Sequence, residues 1–168
     1  PKDEVTFGLH IHSLVPLCKI AYRPEGFMAA VDQLTIKVSG KGAHGATPWD
    51  GVDPIVVSSH IISGLQTIVS RQTELTKAAA VVTIGSFHSG IRNNIIPEEA
   101  RMEGTIRTFD PDMRKKVHEK IRLTATNIAE SAGARADVEI TTGYPVTYND
   151  VALTTLMAPT LQRIAGEN

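Results

Sequence analysis

The stretch DQLTIKVS at residues 32–39 alternates polar and apolar side chains, which is typical of a half-buried β-strand. A glycine-rich loop, GKGAHGATP at residues 40–48, follows it directly. Asp53 then precedes Pro54, and this pair is a strong helix start, because the Asp side chain caps the first turn and proline has no N–H to leave unpaired there. A strand, a loop and a helix therefore begin the regular part of the chain.

The same kinds of signal continue to residue 164. Strands are predicted at residues 78–87, 100–109 and 136–142, which are rich in β-branched residues or alternate in polarity. Asp110-Pro111 repeats the helix start, Gly133 marks the stop of that second helix, and another helix is predicted at residues 150–164. The order β-α-β-β-α-β predicts an α+β fold of the ferredoxin-like kind, with two helices on one face of a four-stranded antiparallel sheet.

Apolar spacing predicts the buried side of each element. The stripe expected on the first helix is Ile55, Ile62, Leu65 and Val69, and that on the second helix is Met113, Val117, Ile121, Thr124 and Ile128. On the strand at 100–109, Met102 and Ile106 face inward, whereas Arg101, Glu103, Thr105 and Arg107 face outward. Before the domain, the run at residues 5–12 is interpreted as a short strand.

Composition excludes several classes of protein. The 168 residues are 42% hydrophobic and 21% charged, which is typical of a soluble globular protein, and the formal net charge of −1 gives no reason to expect nucleic acid or an anionic membrane as partner. No apolar run approaches the roughly 18 residues of a membrane span. Cys18 is the single cysteine, so no disulfide can form within the chain, and a cytoplasmic location is expected.

Three polar residues stand at strand ends or in loops. His44 lies in the glycine-rich loop, Asn94 precedes the third strand, and Arg107 lies late in that strand. A neutral histidine and an asparagine amide can each donate to a developing oxyanion, and an arginine fork suits a carboxylate. Ordinary alternatives remain open, since His44 could be a solvated loop residue, Asn94 a turn residue, and Arg107 the ion-pair partner of Glu103 or Glu139.

The other histidines carry weaker signals. His10 and His12 lie two apart, so they share a face in a strand, but a metal site needs three or four ligands and no acidic residue or cysteine completes one nearby. His60 and His118 fall on predicted helices and are interpreted as surface residues, whereas His88 adjoins the Asn94 loop and could be accessory.

Five motifs occur in order at natural spacing: GLH at residues 8–10, GAHGATP at 42–48, GVDP at 51–54, NIIP at 94–97 and EGTIRTFD at 103–110. Together they resemble the metal-dependent amidohydrolases of the aminoacylase, carboxypeptidase and hippurate hydrolase family. The branch that is most similar comprises the N-acyl amino acid and indole-acetyl amino acid hydrolases. In that family a smaller β-α-β-β-α-β domain, which acts as a lid and dimerises, is inserted into a two-metal catalytic domain.

The resemblance implies a role for four residues. His44 would stabilise the tetrahedral oxyanion in the partner subunit's active site, Asn94 would contact the substrate, and Arg107 would bind its carboxylate. His10 would be a metal ligand, whereas His12 departs from the usual continuation there and is given no role. The cofactors implied are two divalent metal ions, which could be zinc, manganese, cobalt or nickel.

The resemblance also implies a division of the chain. Residues 1–30 would be the end of a catalytic domain and a linker, 31–146 the lid and dimerisation domain, and 147–168 the start of the returning catalytic domain. The family's other metal-ligating segments are not found in the 168 residues, so we expect a fragment that lacks a full metal site and is inactive alone. Its partners would be a second copy of the chain and a small-molecule amide.

The competing interpretation is a ferredoxin-like module without catalytic function. Such a module could serve only in oligomerisation or in binding a ligand, and some ferredoxin-like domains bind RNA. RNA binders of this kind stack bases on aromatic residues of the sheet. The sequence offers only Phe109 for that purpose.

Overall fold

The structure is a computed structural model that describes residues 5–166. The described strands are β1 (Glu25–Met28), β2 (Ala30–Ser39), β3 (Ala43–His44), β4 (Ala80–Ser89), β5 (Ile95–Ile96), β6 (Glu99–Thr108), β7 (Arg135–Thr142) and β8 (Thr147–Asn149). The helices are α1 (Pro54–Gln72), α2 (Pro111–Ser131) and α3 (Val151–Ala165), with a short 3₁₀ turn at Pro48–Asp50.

The central sheet confirms the predicted fold. Its strand order is β4-β6-β2-β7, and β2, β4, β6 and β7 pair antiparallel throughout. Strand β2 lies in the middle, where Leu34 is opposite Gly104 on one side and Ile140 on the other. Helices α1 and α2 pack together on one face of this sheet, so the order β-α-β-β-α-β gives an α+β fold of the ferredoxin-like kind.

Both helices of this domain begin at a capping aspartate, and α2 ends near a glycine. Asp53 accepts a hydrogen bond from the Ile55 amide at 2.8 Å, and Asp110 accepts one from the Met113 amide at 2.8 Å. Helix α2 ends before Gly133, whose φ of 74° lies in the left-handed region. The predicted caps and the predicted stop are therefore confirmed.

The core lies between the sheet and the two helices. Its fully buried larger side chains are Leu34, Ile36, Val38, Ile61, Leu65, Ile68, Met102, Ile106, Val117 and Ile121. Val138 and Ile140 pack against this cluster from β7. The predicted inward positions of β6, Met102 and Ile106, are also confirmed.

The predicted helix stripes are only partly right. On α1 the fully buried apolar residues are Pro54, Val57, Ile61, Leu65 and Ile68, whereas the predicted Ile55 is 38% exposed and Ile62 and Val69 are only partly buried. On α2, Ala125 and Ala129 take the places predicted for Thr124 and Ile128. Small residues allow α2 to approach the sheet there, and a Cβ on Gly64 of α1 would come within 2.7 Å of Ile128 Cδ1, so Ile128 packs between the helices.

The strand predicted at residues 5–12 is wrong. These residues have no regular secondary structure, and the side chains of Leu9 and Ile11 are 77% and 96% exposed. A strand needs a neighbour to take up its backbone hydrogen bonds. Within residues 5–166, no other segment lies beside this run as a pairing strand.

The contacts within the chain define two compact units. Among the described residues, one unit comprises 5–27 and 148–166, and the other comprises 28–147. The first contains α3 and a hydrogen bond of 2.8 Å from Asn149 Nδ2 to the Arg23 carbonyl, and the second contains the four-stranded sheet with α1 and α2. Residues 1–4 and 167–168 lie outside the described part, and the assignment of residues 1–30 and 147–168 to a catalytic domain stays a prediction.

None of the helices in the described residues combines the length and the apolar character that crossing a membrane requires.

Candidate functional site

His44 lies on a loop that is closed at its base. The backbone of Lys41 both donates to and accepts from the backbone of Val52, with N–O distances of 2.9 Å in each direction. Strand β2 therefore passes directly into the loop, and the chain returns to Asp53, the cap of α1, at the same point. The two Lys41–Val52 hydrogen bonds therefore make residues 42–51 one compact loop at the end of β2.

The structure brings His44 and Asn94 together. His44 in β3 is opposite Ile95 in β5, and the Gly45 amide donates to the Asn94 carbonyl at 2.8 Å. A Cβ at position 45 would lie 3.1 Å from that carbonyl oxygen, so glycine permits the close approach. The two polar residues that the sequence singled out separately thus belong to one small antiparallel ribbon.

The His44 ring has a defined hydrogen-bonding arrangement. Its Nδ1 accepts a hydrogen bond from the Ala46 amide at 3.1 Å. A ring nitrogen that accepts an N–H cannot carry the proton, so the neutral ring carries it on Nε2. Because the side chain is exposed, this Nε2–H is available as a donor to an oxygen outside the domain.

An open depression of about 610 Å³ adjoins the histidine. Its wall is mainly apolar and includes Ile91, Ile95, Ile96 and Pro97, and Glu98 and Glu99 stand on its rim. Such a lining suits an uncharged part of a ligand beside a single polar donor.

Arg107 does not join this site within one chain. It lies eight residues beyond Glu99 along β6, whereas His44 and Asn94 lie beyond the Glu99 end of the same strand. At the rise of a β-strand this places Arg107 about 27 Å from that end. The structure therefore separates the candidate oxyanion donor from the candidate carboxylate-binding residue.

The open face of the sheet, which is the face turned away from the helices, leaves Arg107 apart from its expected partners. Arg101 forms an ion pair with Glu103, donating to Oε1 from Nε at 3.0 Å and from Nη2 at 2.9 Å. Arg107 itself takes part in no ion pair within residues 5–166. The ordinary alternative, an ion pair of Arg107 with Glu103 or Glu139, is therefore not realised within residues 5–166: the nearer Arg101 on the same face takes Glu103, and Glu139 forms no ion pair there.

The open face gives no support to base stacking. Phe109 follows the last residue of β6 and is half-buried, and the open-face positions of the four strands carry no Phe, Tyr or Trp. RNA binding by the usual ferredoxin-like route needs such rings on the sheet.

His10 stands alone as a metal-ligand candidate. It is exposed, and its Nδ1 lies 2.5 Å from the carbonyl oxygen of Ile11. Within the described residues, no group of three or more His, Cys, Asp or Glu side chains is arranged to hold a metal ion. The donors of residues 5–166 therefore do not fit a two-metal centre.

Sequence reasoning missed a buried charged network around Asp32. This carboxylate is 1% exposed and accepts from Arg114 Nε at 2.9 Å, from His118 Nε2 at 2.7 Å and from the Gly143 amide at 3.1 Å. The interpretation of His118 as a surface residue is wrong, because its side chain is turned toward Asp32 and is only 18% exposed. The signal lay in the strand alternation, which puts Asp32 in phase with Leu34 on the buried face.

The network keeps Asp32 ionised. Burial alone would raise the pKa of this carboxyl, but the hydrogen bonds from Arg114, the Gly143 amide and His118 outweigh burial and hold the pKa of Asp32 below its usual value. Arg114 also donates to the Gly143 carbonyl at 3.1 Å, and the Val31 amide donates to the Tyr144 carbonyl at 3.0 Å. The network thus joins the two places where the chain enters and leaves the sheet domain.

The fold and the loop define a class: a ferredoxin-like α+β domain that presents a glycine-flanked histidine on a closed loop. Comparison with known proteins then identifies the family. Residues 31–133, more than half of the chain, match the peptidase dimerisation domain of the M20 peptidases. The chain belongs to this family.

Similar proteins include hydrolases of amide bonds. The chain is 35% identical to N-acetyl-L-cysteine deacetylase of Bacillus subtilis (strain 168), over 92% of the chain and 37% of that protein. It is 36% identical to N-acetyldiaminopimelate deacetylase of Brevibacillus brevis, over 92% of the chain and 41% of that protein. The chain therefore spans about two fifths of the length of these relatives.

A solved structure agrees in fold. The crystal structure of a dinuclear metal-binding peptidase of the M20 family from Bacillus subtilis superposes with a TM-score of 0.68 at 32% identity. The match covers 92% of this chain and 37% of that one. The resemblance to metal-dependent amidohydrolases that the motifs indicated is thereby confirmed at the level of the family.

Proposed function

We propose that this chain is the lid and dimerisation domain, with flanking segments, of a metal-dependent amidohydrolase that cleaves the amide bond of N-acyl amino acids. His44 donates from Nε2 to the oxyanion that forms when the amide carbonyl is attacked. Asn94 contacts the substrate beside it, and Arg107 binds the substrate carboxylate. Family membership and the deacetylase relatives support the reaction class.

The observation that carries this proposal is the arrangement of the His44 ring. The hydrogen bond from the Ala46 amide to Nδ1 selects the tautomer that donates from Nε2. The ring is held before substrate arrives, so little reorganisation is needed when the oxyanion develops. The backbone pairing of this ribbon brings Asn94 close to His44 along the chain, which supports a role for the Asn94 amide at the same site.

The distance between Arg107 and His44 supports a site shared by two chains. About 27 Å separates Arg107 from Glu99, the end of β6 beyond which His44 lies, and an N-acyl amino acid is much shorter than that. One substrate therefore cannot contact both residues of the same chain. In a two-fold dimer, His44 of one chain and Arg107 of the other can approach one substrate.

Helix α1 and strand β4 support the homodimer. Strand β4 is an edge of the sheet, and an edge strand offers unpaired backbone groups to a second chain. Helix α1 packs beside it, and in its 19 residues only Arg71, near its end, carries a formal charge. An uncharged helix face next to a free strand edge is suited to bury against a second copy. The same surface would also serve a module whose only role is oligomerisation.

The metal ions of such an enzyme require donors besides His10. In this proposal His10 contributes one ligand and the other ligands come from outside the described residues. The part of the reaction that residues 28–147 perform is to orient the amide and to stabilise charge.

Substitution of His44 in the full-length protein tests the proposal. We expect His44→Ala to lower kcat about 100- to 1,000-fold, the usual effect of removing one oxyanion donor, with metal content unchanged. His44→Gln is the matched variant, because its amide retains an N–H donor and should recover part of the loss. Turnover that is unchanged in His44→Ala would refute the assignment.

The 168-residue chain alone should show no hydrolase activity. A two-metal centre needs several ligands, and this chain is proposed to supply only His10. Assays of the purified chain with N-acetyl amino acids and added Zn²⁺ or Mn²⁺ should therefore give the background rate. Stoichiometric tight metal binding together with amide cleavage would contradict this expectation.

A further inference from the structure

The open face of the sheet is divided into a charged half and an uncharged half. The charged half contains three ion pairs: Lys37 with Glu99 at 2.6 Å, Arg101 with Glu103 at 2.9 Å, and Arg135 with Asp137 at 2.6 Å. The other half surrounds Arg107, and its open-face positions are Val31, Gln33, Val81, Thr83, Thr105 and Thr141. Arg107 is therefore the one charged residue in this half of the open face, and we call the six uncharged positions round it the floor.

Two residues of this floor lie within reach of the guanidinium. Thr105 precedes Arg107 by two positions on the same face of β6, and Gln33 of β2 is directly opposite Thr105. Cβ atoms of directly opposed residues lie about 5 Å apart and diagonal neighbours about 7 Å, distances that glutamine and arginine side chains span. Gln33, Thr105 and Arg107 are all exposed, so a ligand can contact the three together.

Among the described residues, no carboxylate next to Arg107 on the open face neutralises its positive charge. The nearest carboxylate along β6 is Glu103, four positions away or about 13 Å, and Arg101 occupies it. On β7 the open-face residue opposite Gln33 is Thr141, and Glu139 lies further along, opposite Thr35. The six positions round Arg107 thus offer hydroxyl and amide groups beside one positive charge, and Glu139 stands at the border, diagonal to Gln33 and two strands away from Arg107.

We propose that Gln33 and Thr105 form, with Arg107, a subsite that takes one carboxylate and an uncharged side chain. Within the proposed function, on which this inference rests, the subsite holds the amino-acid part of the substrate. Arg107 binds the α-carboxylate, while Gln33 and Thr105 contact the neighbouring side chain and determine specificity. A cationic side chain is disfavoured beside Arg107, because the guanidinium repels it.

Titrations of the 168-residue chain followed by NMR test the subsite without requiring catalysis. The probes are N-acetylmethionine, its uncharged amide, and Nα-acetyllysine. For N-acetylmethionine we expect shift changes at the amides of Gln33, Thr105 and Arg107, with a Kd of about 1–10 mM, typical of one charge-assisted contact. The amide and Nα-acetyllysine should bind several-fold more weakly.

Three variants sharpen the test. Arg107→Gln should weaken N-acetylmethionine binding about tenfold, whereas Arg101→Gln, on the same strand and face but ion-paired, should leave it unchanged. Gln33→Glu is nearly isosteric, adds a carboxylate beside Arg107, and should reverse the preference from N-acetylmethionine to Nα-acetyllysine. The inference is overturned if the shifts are absent, do not depend on the ligand carboxylate, persist in Arg107→Gln, or if Gln33→Glu leaves the preference unaltered.

This experiment separates the subsite from the proposed reaction. If the titrations succeed while full-length His44→Ala retains its turnover, the proposed reaction fails and the subsite stands. If the titrations fail while His44→Ala abolishes turnover, only the subsite falls.

Discussion

Among single residues, Asp32 shows how a strand pattern can hide a charge. It occupies a buried position of β2 in phase with Leu34, and its charge is balanced by Arg114 and His118 from α2. The alternation of β2 predicts that Asp32 is buried. It does not predict the partners, because they lie 82 and 86 residues further along the chain and only the packing of α2 on the sheet brings them near.

The substitution Asp32→Asn should destabilise the domain by about 3 kcal/mol at pH 7, because it leaves a partly buried arginine without its counter-ion. Since the folded-state pKa of Asp32 is lowered, its contribution is complete above the unfolded-state pKa and disappears as the pH falls through the folded-state value. Urea unfolding should therefore show a difference between the two proteins that shrinks between pH 5 and the acid limit.

The matched control is Asp137→Asn. Asp137 pairs with Arg135 on the exposed face of β7, at 50% side-chain exposure, and such pairs contribute roughly 0–1 kcal/mol. A loss in Asp137→Asn equal to that in Asp32→Asn, or a difference that does not depend on pH, would show that the buried network is not what stabilises the domain.

His44 was predictable for a local reason. Its loop carries glycines on both sides, follows a clear strand and precedes a clear helix cap, so sequence alone placed it at a strand end. The orientation of its ring was not predictable, since the hydrogen bond from the Ala46 amide depends on the geometry of the loop.

The two helices of the sheet domain differ in how clearly their sequences define a buried side. Helix α2 is rich in charged residues, so its few apolar positions, Met113, Val117 and Ile121, were identified correctly. Helix α1 is apolar or small on nearly every side, so its sequence is compatible with more than one stripe. Contact with the sheet and with α2 selects Val57, Ile61 and Ile68, which periodicity alone could not.

The same lack of charge makes α1 the element where a dimer can be disrupted. Gln66 is exposed and lies on the side of α1 away from Gly64, which contacts α2, so Gln66→Glu would place a carboxylate in the proposed interface. We expect this variant to shift the protein from dimer to monomer in sedimentation experiments, with dimer affinity about tenfold weaker or more. Asn127→Glu on the exposed side of α2 adds the same charge elsewhere and should remain dimeric. A monomeric unchanged protein at high concentration would contradict the interface.

For the whole molecule, the fold of the sheet domain followed from sequence because each strand and helix carried its own local signal. The structure of residues 5–12 could not be predicted in this way, since an alternating run forms a strand only where a neighbouring strand pairs with it. The sequence predicted which residues of the strand at 100–109 face outward, but the division of the open face into ion pairs and a lone arginine depends on the register of four strands.

The separation of His44 from Arg107 leads to a prediction about the assembled enzyme. If each active site uses His44 of one chain and Arg107 of the other, then His44→Ala and Arg107→Gln homodimers each lack one group at both sites. A mixed dimer of the two variants has one site with both groups and one site with neither. Co-expressed or re-equilibrated variants should therefore recover about a quarter of the unchanged enzyme's activity when the chains pair at random.

A double variant, His44→Ala with Arg107→Gln in one chain, serves as the control for this mixing experiment. Paired with the unchanged chain, it forms mixed dimers in which each site lacks one group, so these mixed dimers should be inactive. If His44 and Arg107 of the same chain served one site, those mixed dimers would instead keep one complete site, and mixing the two single variants would restore nothing. The kcat of purified mixed dimers therefore distinguishes the two arrangements. We expect the result for a site shared by two chains, because Arg107 lies about 27 Å along β6 from the end near His44.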